Sequence, residues 1–331
     1  MSLSLEQIEK TAKLAENNQL SLMVFQVRHE KPEQIKRPAF YGINVFKIRE
    51  VLEARAYNLS KLPEAHSLVE GMIQLRGKFI PVVDLPTWLG FPMTAEDKAK
   101  SVIIVADFSH NYVGLRVAHI HGVEEKGWEE ILPAENYGMV SEESFVINHT
   151  FLNDIKELCF ILDVERLLME ALPEVASRMF QEVENIKEGQ FSDFLTKKIV
   201  LVADDSRAIQ IYLDGVFKKA GIPHLMFDNG RKLLDHMVTM DPAEISLIFT
   251  DLEMPEASGH TVIKEIRANP VYAKLPIVVH SSMTSENNSR EVYRMGADYF
   301  AGKIDTDQVI DDLHEIDVKF GGARHRSLMA S

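Results

Sequence analysis

Cysteine is almost absent from this chain: Cys159 stands alone, so no internal disulfide framework can hold the fold. It lies inside the apolar run LCFIL, where an inert core thiol is expected. Long apolar runs are lacking too. None approaches the roughly 20 residues of a membrane-spanning helix, so direct membrane insertion is not expected. The opening MSLSLEQIEK has no basic stretch leading into an apolar core, and no secretory signal is expected from it. Basic residues are outnumbered, 36 Lys and Arg against 50 Asp and Glu, for a net charge of −14. That balance argues against binding a nucleic-acid backbone, which needs clustered positive charge. Several catalytic signatures are missing as well: there is no Walker A motif, no G-x-S-x-G, no GxGxxG, and no helix-turn-helix is apparent. What remains is a globular, cytoplasmic composition, 46% hydrophobic and 26% charged, in 331 residues that leave room for two domains.

Chemistry enters between Lys198 and Lys303. Asp204 and Asp205 follow the apolar run KIVLVA, and Asp251 follows EISLIFT. Ser281 follows LPIVVH, and Lys303 follows ADYFAG. Such short runs, separated by helical segments, read as buried strands of a parallel sheet. The carboxyl ends of those strands converge on one crevice, which would gather the acids, hydroxyl and lysine. Any one of them alone reads equally well as a solvated loop residue; the five together, in register, point to an aspartyl-phosphate site. Crowded carboxylates repel unless a proton or a cation joins them. A hard-oxygen cluster suits Mg2+, which keeps coordination places for phosphate and water. Asp251 can then act as a carboxylate nucleophile, Lys303 as a point charge for phosphoryl oxygens, and Ser281 as a hydrogen-bond donor.

The first half reads differently. Residues 3–17 form an amphipathic helix candidate, with Ser4 and Gln7 at capping-box spacing. From Leu22 to about Leu168 short β segments dominate: LMVFQV, GMIQLRG, KFIPVVDL, SVIIVADF, NYVGLRVAHIHGV and ELCFILDV. Many short strands with few helices indicate a barrel or sandwich. Two helices are expected within them, Ile43 to Leu52 and Val164 to Ala171. On the first, Val45, Ile48 and Val51 or Leu52 would share one face, with Glu50 nearer solvent. His119 and His121 would share a strand face near Glu124 and Glu125, a spacing that can ligate a metal. A third ligand is not evident there, and a surface pair is the plainer reading. Asp84 and Asp163 end strand runs and read as turn acids. Residues 172–197 carry both charge signs without strand signals and read as a linker. The segment from Lys319 has no hydrophobic period and reads as a mobile tail.

The runs VLVADDSRAIQ, TDLEMPEASGHTVIKEIR, LPIVVHSS and GADYFAGK together resemble the receiver domain of bacterial response regulators. The resemblance implies a doubly wound, flavodoxin-like α/β domain over 198–318 with a five-stranded parallel sheet. It implies Asp251 as phospho-acceptor, Mg2+ held by Asp204, Asp205, Asp251 and the Glu253 carbonyl, and Phe300 as a switching aromatic. Ile304 departs from the proline that usually follows the lysine. GMIQLRGKFIPVVDL, YGINVFKIREVLE and CFILDVERLL resemble CheW, the chemotaxis coupling protein, over roughly 21–171. That family's all-β fold is two small five-stranded barrels. Residues matching Ile48, Glu50 and Arg76 belong there to the receptor-contacting groove, with the acid and arginine paired. Gln74, where Asn is usual, and the long charged turn 28–40 depart from the pattern.

Both domains in one chain resemble the CheV-type coupling proteins. By that resemblance residues 1–20 precede the coupling domain and 319–331 follow the receiver. The expected function is a non-catalytic scaffold joining chemoreceptor cytoplasmic tips to the CheA histidine kinase, at membrane-bound arrays. The kinase would phosphorylate Asp251, as feedback or as a phosphate sink. The rival expectation is a response regulator whose N-terminal domain has a ligand-binding or enzymatic output.

Overall fold

The computed structural model describes residues 19–27, 40–61, 68–108, 111–133, 145–173, 177, 183–184, 186–187, 189–254, 256–281, 286–302 and 306–321. Expectations for the helix at 3–17, most of the turn 28–40, Lys303 and Ile304 therefore lie outside the described residues. The chain divides into two compact units, Met1–Pro173 and Glu174–Ser331. Among the described residues no helix is long and apolar enough to cross a membrane.

The first unit is built from two sheets. One orders β3 (Ile48–Glu53), β6 (Val102–Phe108), β7 (Asn111–Val117), β5 (Lys78–Asp84) and β4 (Val69–Leu75). The segment that follows its outer strand β3 also meets the other outer strand, β4. Ser60, just beyond β3, exchanges both backbone hydrogen bonds with Met72 of β4, at 2.9 and 2.8 Å. Curling in this way satisfies edge groups that a flat sheet would expose. Inside lie Leu52, Ile73, Ile80, Val82, Ile103 and Val105.

The other sheet orders β8 (His119–Gly127), β1 (Gln19–Gln26), β2 (Phe40–Asn44), β11 (Leu158–Leu162), β10 (Val146–Phe151) and the two-residue β9 (Leu132–Pro133). It too is drawn together from its sides. Lys126 of β8 is fully buried and donates to the Phe151 carbonyl at 2.6 Å and to Asn153 Oδ1 at 2.5 Å. An ammonium without water is tolerable only when so completely hydrogen-bonded and faced by a carboxylate, here Glu124 at 3.0 Å. The core holds Leu22, Val24, Trp128, Ile131, Cys159 and Ile161. Burial pushes the Cys159 thiol up to about 12, so it stays protonated and inert, as its setting implied.

The helix expected over Ile43–Leu52 does not form. β2 ends at Asn44, whose side chain accepts from the Phe46 amide at 3.0 Å and caps a single 3-10 turn, Val45–Lys47. The chain then runs on as β3, paired antiparallel with β6. A short apolar run of ambiguous period takes the conformation its neighbours offer, and β6 offers a ladder. In consequence Val45, Ile48 and Leu52 are core residues rather than an exposed apolar stripe. The helix expected at the end of the unit does form, as α1 (Val164–Ala171). Asp84 and Asp163 are helix N-caps, accepting from the amides of Thr87 at 3.1 Å and Arg166 at 3.0 Å.

The second unit has the strand order β13 (His224–Phe227), β12 (Ile199–Ala203), β14 (Ile245–Thr250), β15 (Ile277–Ser281) and β16 (Tyr299–Gly302), all parallel. Helices α2 (Arg207–Ala220), α3 (Gly230–Met237), α4 (Gly259–Ala268), α5 (Glu286–Met295) and α6 (Thr306–Gly321) alternate with the strands. Every residue of β14 is buried, as a strand covered on both faces requires. On α2 the buried residues Ile209, Tyr212, Leu213, Val216, Phe217 and Ala220 keep a 3.6-residue period, between a Ser206 N-cap and Gly221. Two boundaries differ from expectation. Ser192, in the segment read as a linker, donates its amide to Asp317 at 2.7 Å, and Val183, Ile186 and Leu195 are buried. Lys319 to Gly321, read as the start of a tail, continue α6.

Asp163 carries a testable consequence. Burial, reinforced by Glu165 beside it, raises its carboxyl from 3.8 to about 6. The folded state thus holds a proton that the unfolded chain releases between those values, and stability falls as pH rises from about 4 to about 6. Asp163→Asn keeps a good cap without the charge. Thermal unfolding across that range should show a flatter pH profile for the first unit of the variant, and a higher midpoint at pH 7.

Candidate functional site

The sheet order of the second unit reverses between β12 and β14, with β13 on the far side of β12. Strands of an open α/β sheet diverge at such a reversal and leave a crevice beyond their carboxyl ends. Asp204 and Asp205 follow β12 there, and Asp251 follows β14. The parallel ladder brings them level: the Asp251 amide donates to the Ala203 carbonyl at 2.8 Å. One ligand atom from each of the three acids lies within 4.8 Å of the other two. Asp204 and Asp251 are buried, and Asp205 is half-buried.

Local bonds fix these carboxylates. Asp204 Oδ1 accepts from the Ser206 amide at 3.0 Å, and its backbone carbonyl accepts from Gln210 Nε2 at 2.6 Å. Asp251 Oδ1 accepts from the Leu252 amide at 2.7 Å. Three carboxylates so close, two of them out of water, repel one another unless protonated or joined by a cation. All the donors are hard oxygens and Asp205 is only half-buried, so the residues present fit Mg2+.

Ser281 ends β15, is buried, and pairs in register with Gly302, the residue before Lys303. Lys303 itself lies outside the described residues. Glu253 is half-buried in the loop after Asp251. Phe300 of β16 pairs with Val279 of β15 and packs, half-buried, against the core that includes Ile248, Val262 and Ile277. Its neighbour Tyr299 donates to Asp312 and Glu315, each at 2.8 Å; burial and these two acids hold its phenol far above the usual range.

Sequence reasoning passed over Gly259. A Cβ there would lie 2.2 Å from the Asp251 carbonyl oxygen and 2.9 Å from the Leu252 Cα. The first turn of α4 therefore rests directly on the acid-bearing loop. The only signal for it was a glycine just after Ser258, which caps α4 and so marks where the helix begins.

The first unit holds a second candidate site. Arg76 Nη2 meets Glu50 Oε2 at 3.1 Å, so the expected acid–arginine pairing is present. Two features aim these side chains. The hairpin between β4 and β5 turns on Arg76 and Gly77, both at positive φ, +48° and +82°. A bulge in β3 at Arg49 shifts Glu50 out of simple alternation, and the Arg49 guanidinium lies 5.1 Å from the centroid of the Tyr112 ring. Ile48, expected on the same surface, is buried with 7% exposed and can touch a partner only through its neighbours. Phe79 was missed. It is 64% exposed beside the turn, and the alternation with buried Ile80 would have placed it outward.

Comparison with known proteins covers both units. A family model described as "CheW-like domain" matches residues 21–172, and one described as "Response regulator receiver domain" matches residues 200–314. The chain is 31% identical over 318 residues to chemotaxis protein CheV1 of Helicobacter pylori, covering 92% of this chain and 95% of that one. With CheV2 of the same organism it is 28% identical over 321 residues, covering 93% and 97%. The solved structure of the scaffolding protein TtCheW from Thermoanaerobacter tengcongensis is 27% identical, spanning 44% of this chain and 88% of that one, with a TM-score of 0.36.

Two glycine substitutions should have opposite signs. Gly259→Ala forces a backbone clash under the Asp251 loop and should cost about 1–3 kcal/mol. Gly215→Ala, within α2, meets only Val183 Cγ1 at 3.7 Å and should instead stabilise by about 0.5–1 kcal/mol. Urea unfolding of the second unit reads both, and a lower midpoint for Gly215→Ala would show the contact argument to be wrong.

Proposed function

The chain belongs to the CheV family of chemotaxis proteins, and we propose that it is a coupling scaffold whose receiver takes a phosphoryl group on Asp251. The first unit docks on the cytoplasmic tips of chemoreceptors and on the regulatory domain of the CheA histidine kinase. The phosphohistidine of that kinase is the donor. Charge delivered to Asp251 then alters the coupling, as feedback or by draining phosphate. The protein turns over no external substrate; its chemistry is its own phosphorylation and dephosphorylation. The rival reading, an enzymatic or ligand-binding output in the first unit, is disfavoured by near full-length similarity to chemotaxis proteins.

The observation that carries the proposal is the convergence of Asp204, Asp205 and Asp251 within 4.8 Å at the reversal of strand order. Mg2+ would be held by those three and by the Glu253 carbonyl, and would supply coordination places for phosphoryl oxygens. An Asp251 carboxylate oxygen attacks phosphorus as the bond from phosphorus to the donor nitrogen breaks; the donor ring, already protonated on its other nitrogen, leaves as neutral imidazole. Ser281 donates its hydroxyl hydrogen to a phosphoryl oxygen, and the Lys303 ammonium offsets the charge that accumulates. Movement of Ser281 toward the phosphoryl group frees space for Phe300, which packs two strands from Asp251. Phe300 lacks a hydroxyl, so packing alone drives its rotation. This is a two-state element biased by a local charge.

Docking draws on Glu50, Arg76 and the exposed ring of Phe79, above the buried Ile48. The ion pair is largely in water, with 71% of Arg76 and 21% of Glu50 exposed. Such a pair contributes about 0–1 kcal/mol to stability. Its value lies in orienting two groups that a partner can read.

Asp251→Asn should abolish phosphate incorporation from phosphorylated CheA in Mg2+, whereas Asp205→Ala should slow it. Stoichiometric labelling of Asp251→Asn at another residue overturns the assignment. On the docking face, Glu50→Arg or Arg76→Glu alone should weaken co-sedimentation with receptor–kinase arrays while leaving the unfolding midpoint nearly unchanged. The double reversal should recover part of the loss, with a coupling of about 0.5–3 kcal/mol. Single variants that bind arrays as well as the unaltered chain would place the docking surface elsewhere.

A further inference from the structure

One pattern in the sequence is left unused by this function: the histidines of AHIHG on β8. Sequence spacing supplied two histidines and no convincing third ligand. The fold supplies one from 33 residues away. His121 Nε2 lies 3.2 Å from Oδ2 of Asp154, in the turn between β10 and β11. Glu124 completes a cluster in which ligand atoms from all three residues lie within 4.8 Å of one another.

We propose that His121, Glu124 and Asp154 form a binding site for a borderline divalent transition ion such as Zn2+, fastening β8 to the turn between β10 and β11. The donor set of one imidazole nitrogen and two carboxylates is one that such ions accept, with water in the remaining place. In a tetrahedral zinc site, ligand atoms stand about 3.3 Å apart, which follows from bonds of about 2.0–2.1 Å. His121 and Asp154 already meet that separation.

Each ligand is held by a further contact. His121 is the extra residue of a bulge in β8, since Val24 pairs with Gly122 and Phe25 with Ile120. The bulge breaks the alternation that would have kept His119 and His121 on one face, and it aims His121 alone at Asp154. The imidazole packs edge-on to Phe40, with ring centroids 5.2 Å apart. Asp154 Oδ1 accepts from the Ile155 amide at 2.8 Å. Glu124 accepts from the Asn153 amide at 3.0 Å. Fixing ligands through such contacts raises affinity for the metal.

Lys126, 3.0 Å from Glu124, is the nearest opposing charge. Its ammonium is engaged by the Phe151 and Asn153 oxygens and faces Glu130 at 3.8 Å. Two carboxylates, Glu124 and Glu130, face this one ammonium, and Asp154 adds a further negative charge beside Glu124, so the locality remains negative. Asp154 is 58% exposed and His121 26%, so a hydrated ion can enter from solvent. The site is separate from the all-oxygen cluster of the second unit, which suits the harder Mg2+.

The test is a zinc titration of the full, tag-free chain in excess Mg2+, followed by calorimetry and by the visible absorption of a Co2+ substitute. One zinc per chain is expected, with a rise in the unfolding midpoint of the first unit. His121→Ala and the milder Asp154→Asn should each weaken uptake about tenfold or more and remove the cobalt band. His119→Ala and Asp205→Asn should leave both intact. No uptake at about 0.1 mM zinc, uptake insensitive to His121→Ala, or uptake lost on Asp205→Asn would each overturn the proposal.

Discussion

Like charges do not gather without something to hold them. In the second unit three carboxylates stand within 4.8 Å of one another, two of them buried. The surrounding structure works against their repulsion. The ladder from β12 to β14 sets Asp251 beside Ala203, amides of Ser206 and Leu252 fix two of the carboxylates, and Gly259 lets α4 press on the loop. Such an arrangement has two ways to relax, a proton or a cation. Either makes the crevice responsive to what enters it, which a signalling site needs.

The first unit meets a related problem at its strand edges. Curling a sheet brings side chains of distant strands together, and here the meeting points are charged. Arg76 meets Glu50 across one sheet, and Lys126 reaches Phe151 and Asn153 across the other. The two contacts differ in kind. The first is exposed, weak in stability and open to a partner. The second is fully buried, so removing the Glu124 carboxylate would leave the ammonium out of water and without its nearest opposing charge, a loss of several kcal/mol in order of magnitude. The surface pair therefore suits recognition, and the buried lysine suits structure.

Legibility followed the same division. Four of the five parallel strands were readable because each is a short apolar run closed by a chemically specific residue; β13, HLMF, carries no such residue. The caps formed by Asp84 and Asp163 were legible only as turn acids, since capping depends on where the next amides point. Residues 43–52 were misread because Val45, Ile48 and Leu52 satisfy a helical period, while the residue that pairs with Val51 is Ile104, far along the chain. The bulges at Arg49 and His121 were invisible for a like reason: a bulge is a mismatch between two strands, and neither strand alone contains it.

By itself the sequence determined the inventory and its order. It specified two domains of different class, acids, hydroxyl and lysine placed after their strands, and an arginine–glycine turn able to take positive φ. These follow from local chemistry: hydrophobic period, turn propensity and the valence of side chains. The tertiary structure decided the pairings. It put Asp251 beside Asp204 and Asp205, buried Ile48, aimed Arg76 at Glu50, and carried Asp154 to His121. Each depends on strands meeting in one register rather than another, and register is fixed by the cores that the strands share.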